Sequence, residues 1–129
     1  EPVAGLDPSS SRQIVNMIKE IRAGGVTVFL TTHNMHVADE LCDRVAFINE
    51  GRIAALDSPR ALKLAYGQLL AEVEYRTNGS VVREALSLVD EENARRLTTL
   101  IVNRQVETIH SQEASLEDIF IRVTGRGLA

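Results

Sequence analysis

Tryptophan is absent from this 129-residue chain and aromatic residues make up only 4% of it, so a hydrophobic core has to be mainly aliphatic. The single cysteine, Cys42, excludes an internal disulfide and is consistent with a reducing compartment. No apolar run approaches the roughly 20 residues that span a bilayer, and no secretory signal is visible. Basic residues are not in excess, because the net charge is −4. This argues against nucleic acid as the main partner, since a phosphate backbone demands a basic surface.

The apolar run Val26–Leu30 and the Thr31-Thr32-His33 that follows it organise the chain. Five consecutive residues rich in β-branched and aromatic side chains predict a strand buried on both faces. Ligand chemistry in open α/β sheets gathers beyond the carboxyl ends of strands, so His33 stands where a catalytic or phosphate-sensing group is expected. The alternative for a lone histidine here is a hydrogen-bonded packing residue.

Helix and strand alternate through the first half, which predicts an α/β layer fold. Asp7 as N-cap and Pro8 at the first helical position begin a helix that runs to about Ala23. The further predicted elements are a helix at about 35–43, strands at 44–48 and 52–56, and a helix from Ser58-Pro59 to near Gly67.

The predicted helix at 35–43 carries a polar face of His36, Asp39, Glu40 and Asp43. A transition-metal site would need more nitrogen or sulfur ligands, so this face is expected to be solvated and no metal site is predicted.

Four stretches occur in an order and at spacings that resemble the nucleotide-binding subunit of an ATP-binding-cassette (ABC) transporter: EPVAGLDP, VTVFLTTHNM, LCDRVAFINEGRI and the helix at Ser58-Pro59. By this resemblance, Glu1 corresponds to the glutamate after the Walker B aspartate and acts as the general base. His33 corresponds to the switch histidine that contacts the γ-phosphate. Gly5, Leu6 and Asp7 belong to the D-loop at the subunit interface.

The resemblance also implies what the parent protein does. It would be an ATPase that uses ATP and Mg²⁺ to power transport of a solute across a membrane. Its partners would be a membrane-spanning permease and a second copy of the ATPase subunit, with no nucleic acid. It would be cytoplasmic and peripheral on the inner face of the cell membrane.

Several motifs of that family are missing from this sequence. No G-x-x-x-x-G-K-[ST] phosphate loop occurs, since none of the eight glycines fits it, and no serine-glycine-glycine signature is present. The Walker B aspartate would lie before Glu1. We therefore expect a fragment that begins inside a domain, holds no cofactor and neither binds nor hydrolyses ATP alone.

Residues 68–129 change character and predict a small α+β module with the order β-β-α-β-α. Asn78-Gly79 predicts a two-residue hairpin loop that pairs Glu74 with Arg83 and leaves Val73 opposite Glu84, a pairing with no explanation in the sequence. The remaining predictions are an N-cap at Asp90, a strand at 106–110 and a capped helix start at Ser115. The predicted fold class is thus α/β: the C-terminal part of a P-loop NTPase (ABC ATPase) domain in residues 1–67, then this module.

The end of the chain, SLEDIFIRVTGRGL, resembles the C-terminal extension of ABC exporters of the antibiotic, drug and sodium efflux type. That resemblance implies a regulatory or dimerisation role for the module, and the exposed edge of a strand at Val26–Leu30 also predicts pairing with another chain. Two other functions stay open: a soluble ABC-type ATPase, whose expected basic surface or nucleic-acid module the net charge of −4 does not support, and a non-enzymatic self-association module.

Overall fold

The computed structural model describes residues 1–125, which divide into two compact units. Unit 1 comprises residues 1–65 and the residues from Ser115 onward, and unit 2 comprises Tyr66–Ala114. In chain order the elements are α1 (Pro8–Ala23), α2 (Met35–Leu41), β1 (Val45–Asn49), β2 (Arg52–Asp57), α3 (Pro59–Tyr66), β3 (Leu70–Thr77), β4 (Ser80–Ser87), α4 (Glu91–Val102), β5 (Val106–Gln112) and α5 (Leu116–Thr124). Within this part of the chain, no helix has the length and apolar character that crossing a membrane requires.

In unit 1 the β1–β2 hairpin turns at Glu50 and Gly51, with φ of 51° and 72°. Left-handed conformations at both central residues suit a tight antiparallel hairpin, and glycine adopts them without a Cβ penalty. The hairpin predicted from the sequence is confirmed, with strand bounds shifted by one residue.

The core of unit 1 joins the hairpin to α5. The rings of Phe47 and Phe120 meet edge to face, with centroids 5.4 Å apart. Leu116 and Ile119 on the same helix are also buried, and α5 packs against α2 and β2. Val15 of α1 belongs to a second cluster with two α2 residues, Val37 and Leu41.

The segment Val26–Leu30 is not a strand, and its predicted burial on both faces is wrong. Val26 is 55% exposed and Phe29 is 93% exposed. A strand exists only through hydrogen bonds to a neighbouring strand, and none of the strands in residues 1–125 pairs with this segment. The apolar run has the side chains expected of a buried strand, but within residues 1–125 it has no neighbouring strand with which to pair.

In unit 2 a three-stranded sheet has the order β4-β3-β5. Both outer strands are antiparallel to β3, so they are parallel to each other and joined by the crossover helix α4. The hairpin register predicted from Asn78-Gly79 is confirmed, with Glu74 opposite Arg83 and Val73 opposite Glu84. Residues of β3, β4 and α4 form one buried cluster: Ala71, Val73, Tyr75, Leu86 and Leu100.

The position of Glu84, unexplained by the sequence, has a local cause. Its carboxylate accepts a hydrogen bond from the Tyr75 hydroxyl at 3.0 Å and pairs with Arg96 of α4. The Arg96 guanidinium also donates to the Tyr75 hydroxyl oxygen at 3.1 Å. These three polar groups tie α4 to the sheet and satisfy the Tyr75 hydroxyl beside the core.

The last helix departs from the predicted module. Its capped start is confirmed, because Ser115 and Asp118 exchange hydrogen bonds as a capping box. The predicted β-β-α-β-α arrangement is not confirmed, since α5 packs with α2 and β2 of unit 1. Periodicity identifies its apolar face but not the surface that the face meets. Residues 126–128 of the quoted SLEDIFIRVTGRGL stretch lie outside the described residues.

Candidate functional site

The side chain of Glu1 lies against His33, 32 positions later in the chain. The backbone N–H of His33 donates to Oε1 of Glu1 at 2.8 Å, and Nδ1 of the imidazole contacts the same oxygen. With Nδ1 directed at the carboxylate, Nε2 is the ring nitrogen left for a ligand. Both side chains keep solvent access, at 40% exposed for Glu1 and 66% for His33. The two residues that the sequence singled out as catalytic are therefore neighbours.

Thr32 completes the hydrogen bonding of the Glu1 carboxylate. Its hydroxyl donates to Oε2 at 3.0 Å and accepts the backbone N–H of Asn34 at 2.9 Å. Asn34 in turn caps α2, with its side-chain oxygen accepting from Val37 N–H at 3.1 Å. The start of α2 thereby fixes the turn that carries Thr32 and His33.

The pKa of Glu1 is lowered from its ordinary value, chiefly because the backbone N–H of His33 hydrogen-bonds the carboxylate. The side chains of His33 and Thr32 act in the same direction, and desolvation opposes them. Glu1 is thus held as a carboxylate at neutral pH, the form in which it can accept a proton.

The predicted D-loop residues form the turn that leads into α1. Gly5 has φ of 72°, in the left-handed region that suits glycine. Asp7 accepts from the backbone N–H groups of Ser9 and Ser10 at 2.9 and 3.0 Å, and its pKa is lowered chiefly by the Ser10 hydroxyl. Leu6 is 43% exposed. Asp7 thus caps its own helix, and none of the hydrogen bonds described for residues 1–125 joins it to Glu1 or His33.

The polar face of α2 is held by ion pairs within unit 1. Glu40 meets Arg12 and Lys19 at 2.5 and 2.6 Å, and its pKa is lowered chiefly by Lys19. Asp39 meets Lys63 at 2.6 Å. Across residues 1–125, no group of three or more histidine, cysteine, aspartate or glutamate side chains is placed to hold a metal ion.

Sequence reasoning missed Thr32 as a member of the site. The sequence shows a hydroxyl residue directly before His33, but it does not show that the partner of this hydroxyl is Glu1, because tertiary packing brings the two residues together. No periodicity or spacing rule encodes that contact.

Comparison with known proteins finds no family model that matches the chain, but it finds relatives along its whole length. The fluoroquinolones export ATP-binding protein of Mycobacterium tuberculosis is 50% identical over 99% of the chain, which covers 43% of that relative. The daunorubicin resistance ATP-binding protein DrrA2 of Streptomyces coeruleorubidus is 31% identical over 97% of the chain, covering 46% of that protein. The Nod factor export ATP-binding protein I of Burkholderia orbicola is 32% identical over 98% of the chain, covering 46%.

These matches define the class: the chain belongs to the ATP-binding subunits of ABC transporters. It spans less than half the length of the relatives named here. Within the class it is similar to subunits whose names record drug resistance or export.

Proposed function

We propose that this chain is the C-terminal part of an ATP-hydrolysing subunit that powers export of a solute, and that Glu1 and His33 serve the hydrolysis. The hydrogen-bonded contact between these two residues carries the proposal. It joins a carboxylate held in its charged form to an imidazole with one nitrogen free. The similarity of the chain to export ATP-binding proteins supports the same reading.

The chemistry follows from the two side chains. Phosphoryl transfer to water needs a positioned nucleophile and groups that stabilise charge on the γ-phosphate. Glu1 takes the proton of the attacking water as general base. The Nε2 atom of His33 faces the phosphate as a donor when the ring is protonated, while the carboxylate of Glu1 holds Nδ1.

ATP and Mg²⁺ belong to this proposal at the level of the whole subunit. The residues described here do not fit an Mg²⁺ site, because they offer no cluster of metal-ligating side chains and the sequence has no phosphate loop. We expect the 129-residue chain by itself to bind ATP negligibly.

The D-loop residues Gly5, Leu6 and Asp7 are proposed to meet a second copy of the subunit near its ATP site. The exposed Leu6 and the fixed turn at Gly5 are compatible with an intermolecular contact. A membrane-spanning permease is the other proposed partner, and the proposed location is the cytoplasmic face of the membrane.

The test is steady-state ATP hydrolysis by the complete gene product that contains this chain. Glu1→Gln and His33→Ala should each lower kcat by about 100-fold or more, because they remove the general base and the phosphate contact. Matched controls are Glu113→Gln and His110→Ala, which alter an exposed carboxylate and an exposed histidine elsewhere in the chain. The 129-residue chain alone, which we expect to be inactive, serves as the reference.

Full hydrolysis by both variants would contradict the proposal, as would the absence of ATPase activity from the unchanged gene product. A second candidate, self-association without catalysis, is favoured by the exposed apolar segment at Val26–Phe29. In that case the gene product would lack ATPase activity and still form a concentration-dependent oligomer.

A further inference from the structure

We propose that Thr32 is a positioning residue for the hydrolysis, because its hydroxyl fixes Oε2 of Glu1 as the oxygen that receives the proton from water. The inference rests on the proposed function, in which Glu1 is the general base. It adds a residue to which neither the sequence patterns nor the comparisons assign a role.

The direction of the hydrogen bond at Thr32 follows from counting its donors and acceptors. The backbone N–H of Asn34 donates to the Thr32 hydroxyl oxygen at 2.9 Å. A hydroxyl has a single proton, and the nearby Oε2 of Glu1, at 3.0 Å, is a charged acceptor. The Thr32 proton is therefore directed at Oε2, in a charge-assisted hydrogen bond.

The same counting identifies the reactive oxygen of Glu1. Oε1 faces two groups of His33, the backbone N–H at 2.8 Å and Nδ1 of the ring. Oε2 faces only the Thr32 hydroxyl among the hydrogen bonds described for this side chain. A carboxylate has about four acceptor sites, two on each oxygen. The site that remains for a water molecule therefore lies on Oε2.

The proton balance is then simple. The water oxygen bonds to the γ-phosphorus, the bond from that phosphorus to the bridging oxygen breaks, and its electron pair leaves with ADP. The proton of the water passes to Oε2 of Glu1. Thr32 exchanges no atom and acts by holding the carboxylate plane, so its loss should lower the rate without removing the base.

A purely structural role for Thr32 would produce a different result. Thr32 also supports the turn before α2 through Asn34, so its removal is expected to loosen that turn. Loosening alone lowers thermal stability but leaves the pH at which the base titrates unchanged. The pH profile of kcat separates the two roles.

The experiment compares Thr32→Val, Thr32→Ser and Thr31→Val in the complete gene product. Valine matches threonine in shape without the hydroxyl, and serine restores the hydroxyl. Thr31 is the matched control, because its exposed side chain makes no hydrogen bond in the structure of residues 1–125. Each variant is assayed for kcat and for KM with MgATP from pH 5 to 9, alongside Glu1→Gln.

Thr32→Val should lower kcat roughly 10- to 100-fold while KM changes less than about twofold. The acidic limb of its profile should move to higher pH, because loss of a hydrogen bond to the charged form raises the pKa of Glu1. Thr32→Ser should restore kcat and the position of the acidic limb to near those of the unchanged protein. Thr31→Val should match the unchanged protein in kcat, KM and pH profile.

Two results would overturn the inference, and they are distinguishable. If Thr32→Val keeps the pH profile of the unchanged protein, with or without a lower kcat, while Glu1→Gln is inactive, Thr32 does not position the base and the proposed function stands. If no ATP hydrolysis depends on Glu1, the proposed function fails and this inference fails with it.

Discussion

Asp118 gives a residue-scale test of how this chain stabilises a helix start. Its carboxylate accepts from the hydroxyl and the backbone N–H of Ser115, at 2.8 and 3.0 Å. Its pKa is lowered from the ordinary value, with the Ser115 hydroxyl as the main cause. A lowered pKa in the folded state means that the unfolded state binds more protons, so this contribution to stability rises with pH.

The variant Asp118→Asn should therefore be less stable than the unchanged chain at pH 7, by about 0.5 kcal/mol once solvent exposure is allowed for. The difference is fully present above the unfolded pKa of Asp118 and disappears as pH falls through the lower folded pKa. Urea unfolding of both proteins at pH 7 and at about pH 3 measures it. A difference that grows toward acid would contradict the assignment.

The polar contacts at residue scale were the least accessible to sequence reasoning. The cap at Asp7 was predictable, because an N-cap acts on residues two and three positions away. The bonds from Thr32 to Glu1 and from Arg96 to Glu84 were not predictable, since they join residues that only tertiary packing brings together. Such contacts depend on where elements meet, which local propensity does not encode.

At the element scale, α5 is the helix that the sequence assigned to the C-terminal module and the structure places in unit 1. Ile119 is fully buried and Ile121, on the same helix, is 41% exposed. We expect Ile119→Ala to destabilise unit 1 by about 2–5 kcal/mol, because it leaves a cavity where α5 packs against α2 and β2. Chemical denaturation followed by circular dichroism measures this change.

The matched control is Ile121→Ala, which removes the same atoms from an exposed position and should cost less than about 1 kcal/mol. Hydrogen exchange locates the effect. Ile119→Ala should speed exchange in α2 and β2, while β3 and β4 of unit 2 stay protected. Faster exchange in β3 and β4 with α2 unchanged would place α5 with unit 2, as the sequence predicted.

The β3–β4 hairpin and the segment Val26–Leu30 show why one strand prediction was correct and the other was wrong. The β3–β4 hairpin is local, and its turn Asn78-Gly79 sets the register through the backbone angles it permits. The segment Val26–Leu30 has an equally strong apolar pattern, but a strand needs a partner from elsewhere. Pattern alone therefore predicted a strand at Val26–Leu30 that residues 1–125 do not form.

At the scale of the whole molecule, the exposed segment Val26–Phe29 is the strongest basis for association. Its backbone has no partner among the strands of residues 1–125, and Phe29 is 93% exposed. An exposed apolar segment that pairs with no strand invites pairing with another chain. We expect the 129-residue chain to form a concentration-dependent dimer, measured by sedimentation velocity from micromolar to millimolar concentrations.

The variant Phe29→Asp should weaken this association at least about tenfold, because a charge on the unpaired segment opposes apolar contact and strand pairing. Leu64→Asp is the matched control, since Leu64 of α3 is 68% exposed but lies outside the segment. A chain that stays monomeric over the whole concentration range would contradict the expectation. Equal weakening by both variants would show that the segment is not specifically involved.

The central claim is that Glu1 and His33 belong to an ATP-hydrolysing site whose other parts lie in the same gene product. The most direct measurement is to read the coding sequence upstream of Glu1. We predict an apolar run that ends in aspartate directly before Glu1, and farther upstream a serine-glycine-glycine signature and a G-x-x-x-x-G-K-[ST] phosphate loop. A reading frame that starts near Glu1, or one without those motifs, would contradict the claim and leave Glu1 and His33 without their proposed roles.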